Sequence, residues 1–329
     1  MSRLAVLGAG SWGTALAIAL ATRFDSVGLW ARDPERAVQI SNARENRRYL
    51  PGFRLPANVG ISCVIDEAIP AADILLIAIP AAHLRHVLER VQPYLAGNTH
   101  LVSATKGIEE QTLCRMSEVI RHCLGNRPVA ALSGPTFAKE IAAGEPAAVV
   151  IASEDIRIAE DIQRAFATPA FRFYTSADVI GVELGAALKN VIAIGAGICR
   201  GLGLGSNSVA ALVTRGLAEI TRLAVTLGGN PRTLSGLAGL GDLVLTATGD
   251  LSRNRFVGMR LGQGHALGEI LGGMTMVAEG VGTCRAAHQL GIREGVDLPI
   301  INKMYEVLYE QKDPRAAIRE LMERPLTNE

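Results

Sequence analysis

The chain has no excess of charge of either sign: 33 lysines and arginines face 32 aspartates and glutamates in 329 residues. That balance leaves nothing over to neutralise a nucleic-acid backbone or an anionic membrane surface, and it points to a small-molecule partner. Paired cysteines are missing too. Cys63, Cys114, Cys123, Cys199 and Cys284 are odd in number and widely spaced, without a zinc or redox motif, so they read as reduced packing residues of a cytosolic protein. His83 and His86 have no carboxylate or cysteine nearby to complete a ligand set, and no metal is predicted. Beyond the N-terminus no apolar run reaches the roughly 18 to 20 uninterrupted residues of a membrane span, which predicts a soluble protein without stable membrane insertion. Internal repeats and low-complexity linkers are absent. What is present, 49% apolar residues over this length, predicts two packed cores.

The opening stretch MSRLAVLGAGSWGTALAIALAT has the outline of a signal peptide, but Gly8, Gly10 and Gly13 would break its helix. The same glycines form G-x-G-x-x-G between a short strand and a helix. One permits a tight turn, one lets backbone approach a pyrophosphate, and one lets helix pack closely on strand, with the helix N-terminus facing the phosphates. Further strand-like runs lie at 27–31, 61–65, 74–79, 100–104, 129–133, 147–152 and 171–175. Helix-length segments separate most of them, one opening at Asp33-Pro34 with a cap and a first-turn proline. Alternating strands and helices predict an α/β fold, a parallel, doubly wound, Rossmann-like sheet over residues 1–178.

After the second strand an NAD-directed site would show an acid for the ribose 2′-hydroxyl. The chain reads WARD instead. Arg32 can meet a 2′-phosphate or stack on adenine, which favours NADP with NAD tolerated; the plainer reading makes Arg32 a surface charge and Asp33 a helix cap. Pro80 ends another strand, where a rigid turn could border a nicotinamide. Lys106 follows the next, within reach of an anionic or carbonyl oxygen, or of water alone.

From about Asp178 the strands stop and apolar residues recur at helical spacing, predicting an all-helical substrate-binding and catalytic domain over 179–329. At 209–228 Arg215, Glu219 and Arg222 form a polar face opposite an apolar one, and Asp313 with Pro314 starts a final helix. The segment GLGDLVLTATGDLSRNRFVG is dense in polar groups. Its Ser252, Arg253 and Asn254 suit a phosphate cradle of charge, planar donors and helix amides, or else a serine cap beside solvated arginines. The apolar helix GVELGAALKNVIAIGAG carries Lys189 and Asn190 in its middle. A buried lysine is costly when charged, so burial lowers its pKa and frees a neutral amine for general-base work; a snorkelling lysine beside a helix-pairing asparagine is the plainer account.

Nearly end to end, through GAGSWGTALA, SATKGIE, SGPTFAKE, GVELGAALKNVIAIGAG, GLGDLVLTATGDLSRNRFVG and VAEGV, the chain resembles the bacterial-type NAD(P)-dependent glycerol-3-phosphate dehydrogenases. The resemblance implies interconversion of sn-glycerol 3-phosphate and dihydroxyacetone phosphate with NADP or NAD, for glycerophospholipid synthesis, by a cytoplasmic homodimer. It implies Lys189 as proton acceptor, with Lys106 and Asn190 beside the reacting oxygen and Asp242 and Thr246 meeting the substrate's hydroxyl groups and ordering the lysine. It implies Ser252, Arg253 and Asn254 at the phosphate and Gly134 and Thr136 lining the substrate site, where Thr136 replaces a frequent serine. Ser11, Trp12, Arg32, Lys106, Ala138, Arg253, Val277 and Glu279 would join the three glycines at the cofactor. A hydroxy-acid dehydrogenase with a carboxylate anchor, or an NAD(P)H-binding sensor without chemistry, are the alternatives.

Overall fold

The computed structural model describes residues 2–69 and 71–326, and in it the buried runs of the first half form one eight-stranded sheet. The strands are β1 (Arg3–Leu7), β2 (Ser26–Trp30), β3 (Val59–Ser62), β4 (Ile74–Ile77), β5 (His100–Ser103), β6 (Val129–Ser133), β7 (Ala147–Ala152) and β8 (Phe171–Ser176). They lie in the order β3-β2-β1-β4-β5-β6-β7-β8. Helices cover both faces, and β4 and β6 are buried along their whole length, which is why they read as continuous apolar runs. The strand order reverses between β1 and β4. The crevice outside the carboxyl ends there is where an open sheet of this kind takes ligands.

Two details depart from the sequence reading. The strand expected at 61–65 is Val59–Ser62, because Ile65 already opens a short helix, Ile65–Ala68. The sheet is also not wholly parallel, since β7 runs antiparallel to β6 with Leu132 opposite Ile151. The connection between them holds only the helix Ala138–Ala143 and makes no crossover, so β7 sets out from the edge at which β6 ends. Thr136 and Ala138 thereby stay at the carboxyl edge of β6.

Strands end at Ser176, and Asp178 then caps the helix Val179–Gly201, accepting a bond from the Gly181 amide at 2.8 Å. By length and composition this helix could cross a membrane, yet 94% of its most apolar window is buried in the protein. The helices Ser206–Thr226, Asp242–Thr248, Arg253–Gly262 and Glu279–Glu294 pack around it, so its apolar character on all sides is that of a core element. Arg253–Gly262 docks on it backbone to backbone. A Cβ at Gly258 would stand 1.8 Å from the Ile194 carbonyl oxygen, and one at Gly197 2.0 Å from that of Arg255. This close approach sets the start of the shorter helix against the middle of the longer one.

On Ser206–Thr226 the expected polar face is only partly right. Arg215 and Arg222 are exposed, but Glu219 is buried, its carboxylate accepting the Ile300 and Ile301 amides at 2.7 and 3.1 Å. Those amides open the helix Pro299–Tyr309 and have no partner inside it, which is what draws a carboxylate there.

Candidate active site

The glycine turn after β1 divides its work as the spacing suggests. A Cβ at Gly13 would lie 1.9 Å from the Gly8 carbonyl oxygen, so only glycine lets the helix Ser11–Leu20 rest on the turn. Gly10 differs: an added Cβ there would meet no protein atom within 4 Å, because it faces an open cleft of about 520 Å³. Gly10 also serves as the helix cap without a side chain to occupy the first-turn amides. Asn46 fixes the turn from behind, donating to the Ala9 carbonyl and to Thr14, both at 2.9 Å.

Strand ends bring the expected residues to this cleft. Arg32 follows β2, Pro80 follows β4, Lys106 follows β5, and Thr136 and Ala138 follow β6 onto its wall. From the helical half Lys189, Asn190, Thr246, Ser252, Arg253, Asn254, Val277 and Glu279 complete it. Three predicted residues do not line it. Gly13 is under the turn; Gly134, just after β6, presents its carbonyl to Lys106; Asp242 is wholly buried behind the two lysines.

The inner end is a chain of charges. Lys189 Nζ donates to Asp242 Oδ1 at 2.5 Å and to Thr246 Oγ1 at 2.7 Å, while Lys106 Nζ donates to Asp242 Oδ2 at 2.7 Å and to the Gly134 carbonyl at 3.3 Å. One carboxylate thus holds two lysines from opposite halves of the chain. Burial pulls the Lys189 pKa from its ordinary 10.5 to about 7; Asp242 opposes the fall and the charge of Lys106 adds to it. An amine that is half neutral near pH 7 can both take and return a proton.

Beside it Asn190 Oδ1 accepts from Asn254 Nδ2 at 2.9 Å, and Asn254 Oδ1 accepts from the Gly280 amide at 3.0 Å, tying three helices together at the cleft. Ser252 is the cap of Arg253–Gly262, its hydroxyl accepting from the Arg255 amide at 3.2 Å, so the plainer reading of that side chain also holds. The Arg253 guanidinium is exposed on the wall and donates no hydrogen bond within the protein among the described residues. Burial raises the Glu279 carboxyl to about 7 against the pull of Arg253 and of the Ala81 amide. The segment carrying Val277 reaches back across the cleft, where Ser11 Oγ lies 2.9 Å from Met276 Sδ.

Comparison with known proteins agrees with this architecture. Residues 3–159 match the profile of the NAD-dependent glycerol-3-phosphate dehydrogenase N-terminus, and residues 178–319 that of its C-terminus. The chain belongs to the NAD-dependent glycerol-3-phosphate dehydrogenase family. It is 53% identical over 334 residues to the NAD(P)+ glycerol-3-phosphate dehydrogenase of Koribacter versatilis, covering 100% of this chain and 99% of that one. Identity to the enzyme of the same name from Geobacter sp. is 49% over 330 residues, covering 99% and 98%. The crystal structure of glycerol-3-phosphate dehydrogenase from Coxiella burnetii superposes with a TM-score of 0.95 at 38% identity, over 98% of this chain and 99% of that one.

As a member of the glycerol-3-phosphate dehydrogenase family the protein is an NAD(P)-dependent enzyme, and its glycine turn fits such a cofactor: a helix N-terminus with no side-chain cap faces a cleft into which a side chain at Gly10 would project. Sequence reasoning missed three residues of this dehydrogenase. Asn46, Tyr49 and Arg36 come from a segment, ARENRRY, and a helix that showed only charge, although Tyr49 and Arg36 line the cleft. A tyrosine directly after two arginines was the available signal.

Proposed function

We propose that the enzyme interconverts sn-glycerol 3-phosphate and dihydroxyacetone phosphate, with Lys189 as the general base in oxidation and, as its ammonium, the general acid in reduction. A bound nicotinamide supplies the hydride acceptor or donor. In oxidation the neutral Lys189 amine takes the secondary hydroxyl proton, and Asp242 and Thr246 hold the resulting ammonium in place. In reduction that ammonium, with Lys106 and the Asn190 amide nearby, faces the carbonyl oxygen and returns the proton. Arg253 and the free amides that follow the Ser252 cap hold the phosphate, Thr136 borders the substrate, and this unreacting handle positions the reacting carbon.

The observation that carries the reading is a buried lysine, poised near neutrality, on the wall that also presents, at a helix start, an arginine with no hydrogen bond to the protein among the described residues. We assign residues 1–178 to cofactor binding and 179–329 to substrate binding and catalysis. By its resemblance we take the enzyme to be a cytoplasmic homodimer that feeds glycerophospholipid synthesis. The test is oxidation of NADPH, and separately of NADH, on adding dihydroxyacetone phosphate, with dihydroxyacetone and keto acids as controls. Oxidation confined to the phosphorylated ketone supports the assignment; equal oxidation with dihydroxyacetone removes Arg253 from its role. Lys189→Ala lowers turnover by several orders while cofactor binding persists, and undiminished turnover would refute the base.

A further inference from the structure

The end of the cleft beyond β2 carries an arrangement that the proton chemistry does not use. Ala31 stands directly after β2, so no carboxylate occupies the place from which an acid would bind ribose hydroxyls. The nearest acid, Asp33, is committed twice. Its Oδ1 accepts the Glu35 and Arg36 amides at 3.1 and 3.3 Å as the cap of the helix Pro34–Ala43, and its Oδ2 pairs with Arg36 Nη2 at 3.3 Å. Arg36 in turn donates through Nη1 to the Tyr49 hydroxyl at 3.0 Å, with its guanidinium carbon 5.0 Å from the tyrosine ring centroid. Tyr49 is itself held on the glycine turn: its carbonyl accepts from Ser11 Oγ at 2.6 Å, and its amide bonds Asn46 Oδ1 at 3.3 Å. The Arg36 fork is therefore fixed from two sides on the cleft wall, while Arg32 beside it donates no hydrogen bond within the protein among the described residues.

We propose that Arg36, held by Asp33 and Tyr49, joins Arg32 in a two-guanidinium receptor for a phosphomonoester on the 2′ position of the adenosine ribose, and so determines preference for NADP over NAD. The proposal rests on the cofactor reading above and adds to it a residue outside the strand-end position. The local charge supports it. Two arginines against Asp33 leave one net positive charge, which a ribose hydroxyl cannot use and a phosphomonoester, carrying about two negative charges at neutral pH, can. Rigidity supports it as well, because a fork already pinned loses little freedom when it binds bidentately.

The experiment is isothermal titration of the protein with adenosine 2′,5′-bisphosphate and with adenosine 5′-monophosphate, which differ only in the 2′-phosphate. The parent binds the bisphosphate more tightly. Arg36→Met reduces that preference roughly ten- to hundredfold, the worth of a charge-assisted contact. Tyr49→Phe, which removes one oxygen and keeps the ring, reduces it by a smaller factor, so the proposal remains testable should Arg36→Met fail to fold. A preference unchanged in Arg36→Met overturns the proposal and leaves Arg32 as the sole phosphate ligand. No preference in the parent overturns both the receptor and the assignment to NADP, without touching glycerol phosphate chemistry.

Discussion

Replacing Lys106 by methionine moves the pH profile of the reaction upward, and replacing Asp242 by asparagine moves it downward. Lys189 lies between these effects: burial brings its pKa to about 7, the charge of Lys106 pushes it down and that of Asp242 pushes it up. Near pH 7 about half of such amines are neutral, against roughly one in three thousand for a lysine at its ordinary pKa. With Lys189 in the proposed role, oxidation of glycerol 3-phosphate would use the amine, and its rate should rise with pH through about 7 and level; reduction of dihydroxyacetone phosphate would use the ammonium, and its rate should fall through the same region. Both lysines touch one carboxylate, so the charges act over a few ångströms, where a unit charge at about 4 Å is worth about 4 kcal/mol at an effective dielectric of ~20. Water entering the vacated space weakens this, and a displacement of roughly one to two pH units in each variant is expected. The assay is initial rate at low substrate in both directions over about pH 5 to 10. The substrate phosphate also ionises near about 6. It is common to all variants, so the differences carry the reading. Inflections that stay at the parent value, or that move the same way in both variants, would refute the shared-carboxylate account.

Three further outcomes follow from the packing. Gly13→Ala forces a Cβ to 1.9 Å from the Gly8 carbonyl and costs about 1–3 kcal/mol of stability, whereas Gly10→Ala melts like the parent but loses cofactor affinity; paired melting curves and cofactor titrations check both. Arg253→Met raises KM for glycerol 3-phosphate roughly ten- to hundredfold, the loss of a charge-assisted phosphate contact, and steady-state kinetics with an unchanged KM would remove it from that site. Glu219 has a folded pKa of about 7, above its ordinary 4.5, so the fold binds its proton more tightly than the unfolded chain and stability falls as pH rises between those values. Glu219→Gln escapes that loss, and its melting temperature relative to the parent should be higher at about pH 8 than at about pH 5.

The parts of the site that were legible in the sequence are those whose geometry is local. The glycine turn and the caps at Asp33, Ser252 and Asp313 depend on neighbours within a few residues, and they stand as the spacing implied. Burial patterns were less informative. An apolar run reads alike whichever way the strand points, so the antiparallel β7 was hidden, and helical spacing placed Glu219 with the solvent-facing arginines because it does not say where the next helix begins. Least legible was the meeting of Lys106, Lys189 and Asp242, which lie on three separate elements. Lys106 and Lys189 stood out singly in the sequence and the family resemblance grouped them with Asp242, but no local pattern fixes the register that joins them. On the helical side that register depends on Gly197 and Gly258, whose missing side chains let the Arg253–Gly262 helix sink onto the lysine helix and bring Asn254 to Asn190. A methyl group at Gly258 would leave every charged residue of the cleft in the sequence and still separate its two walls, so the chemistry of this site is specified as much by two glycines outside it as by the lysine within it.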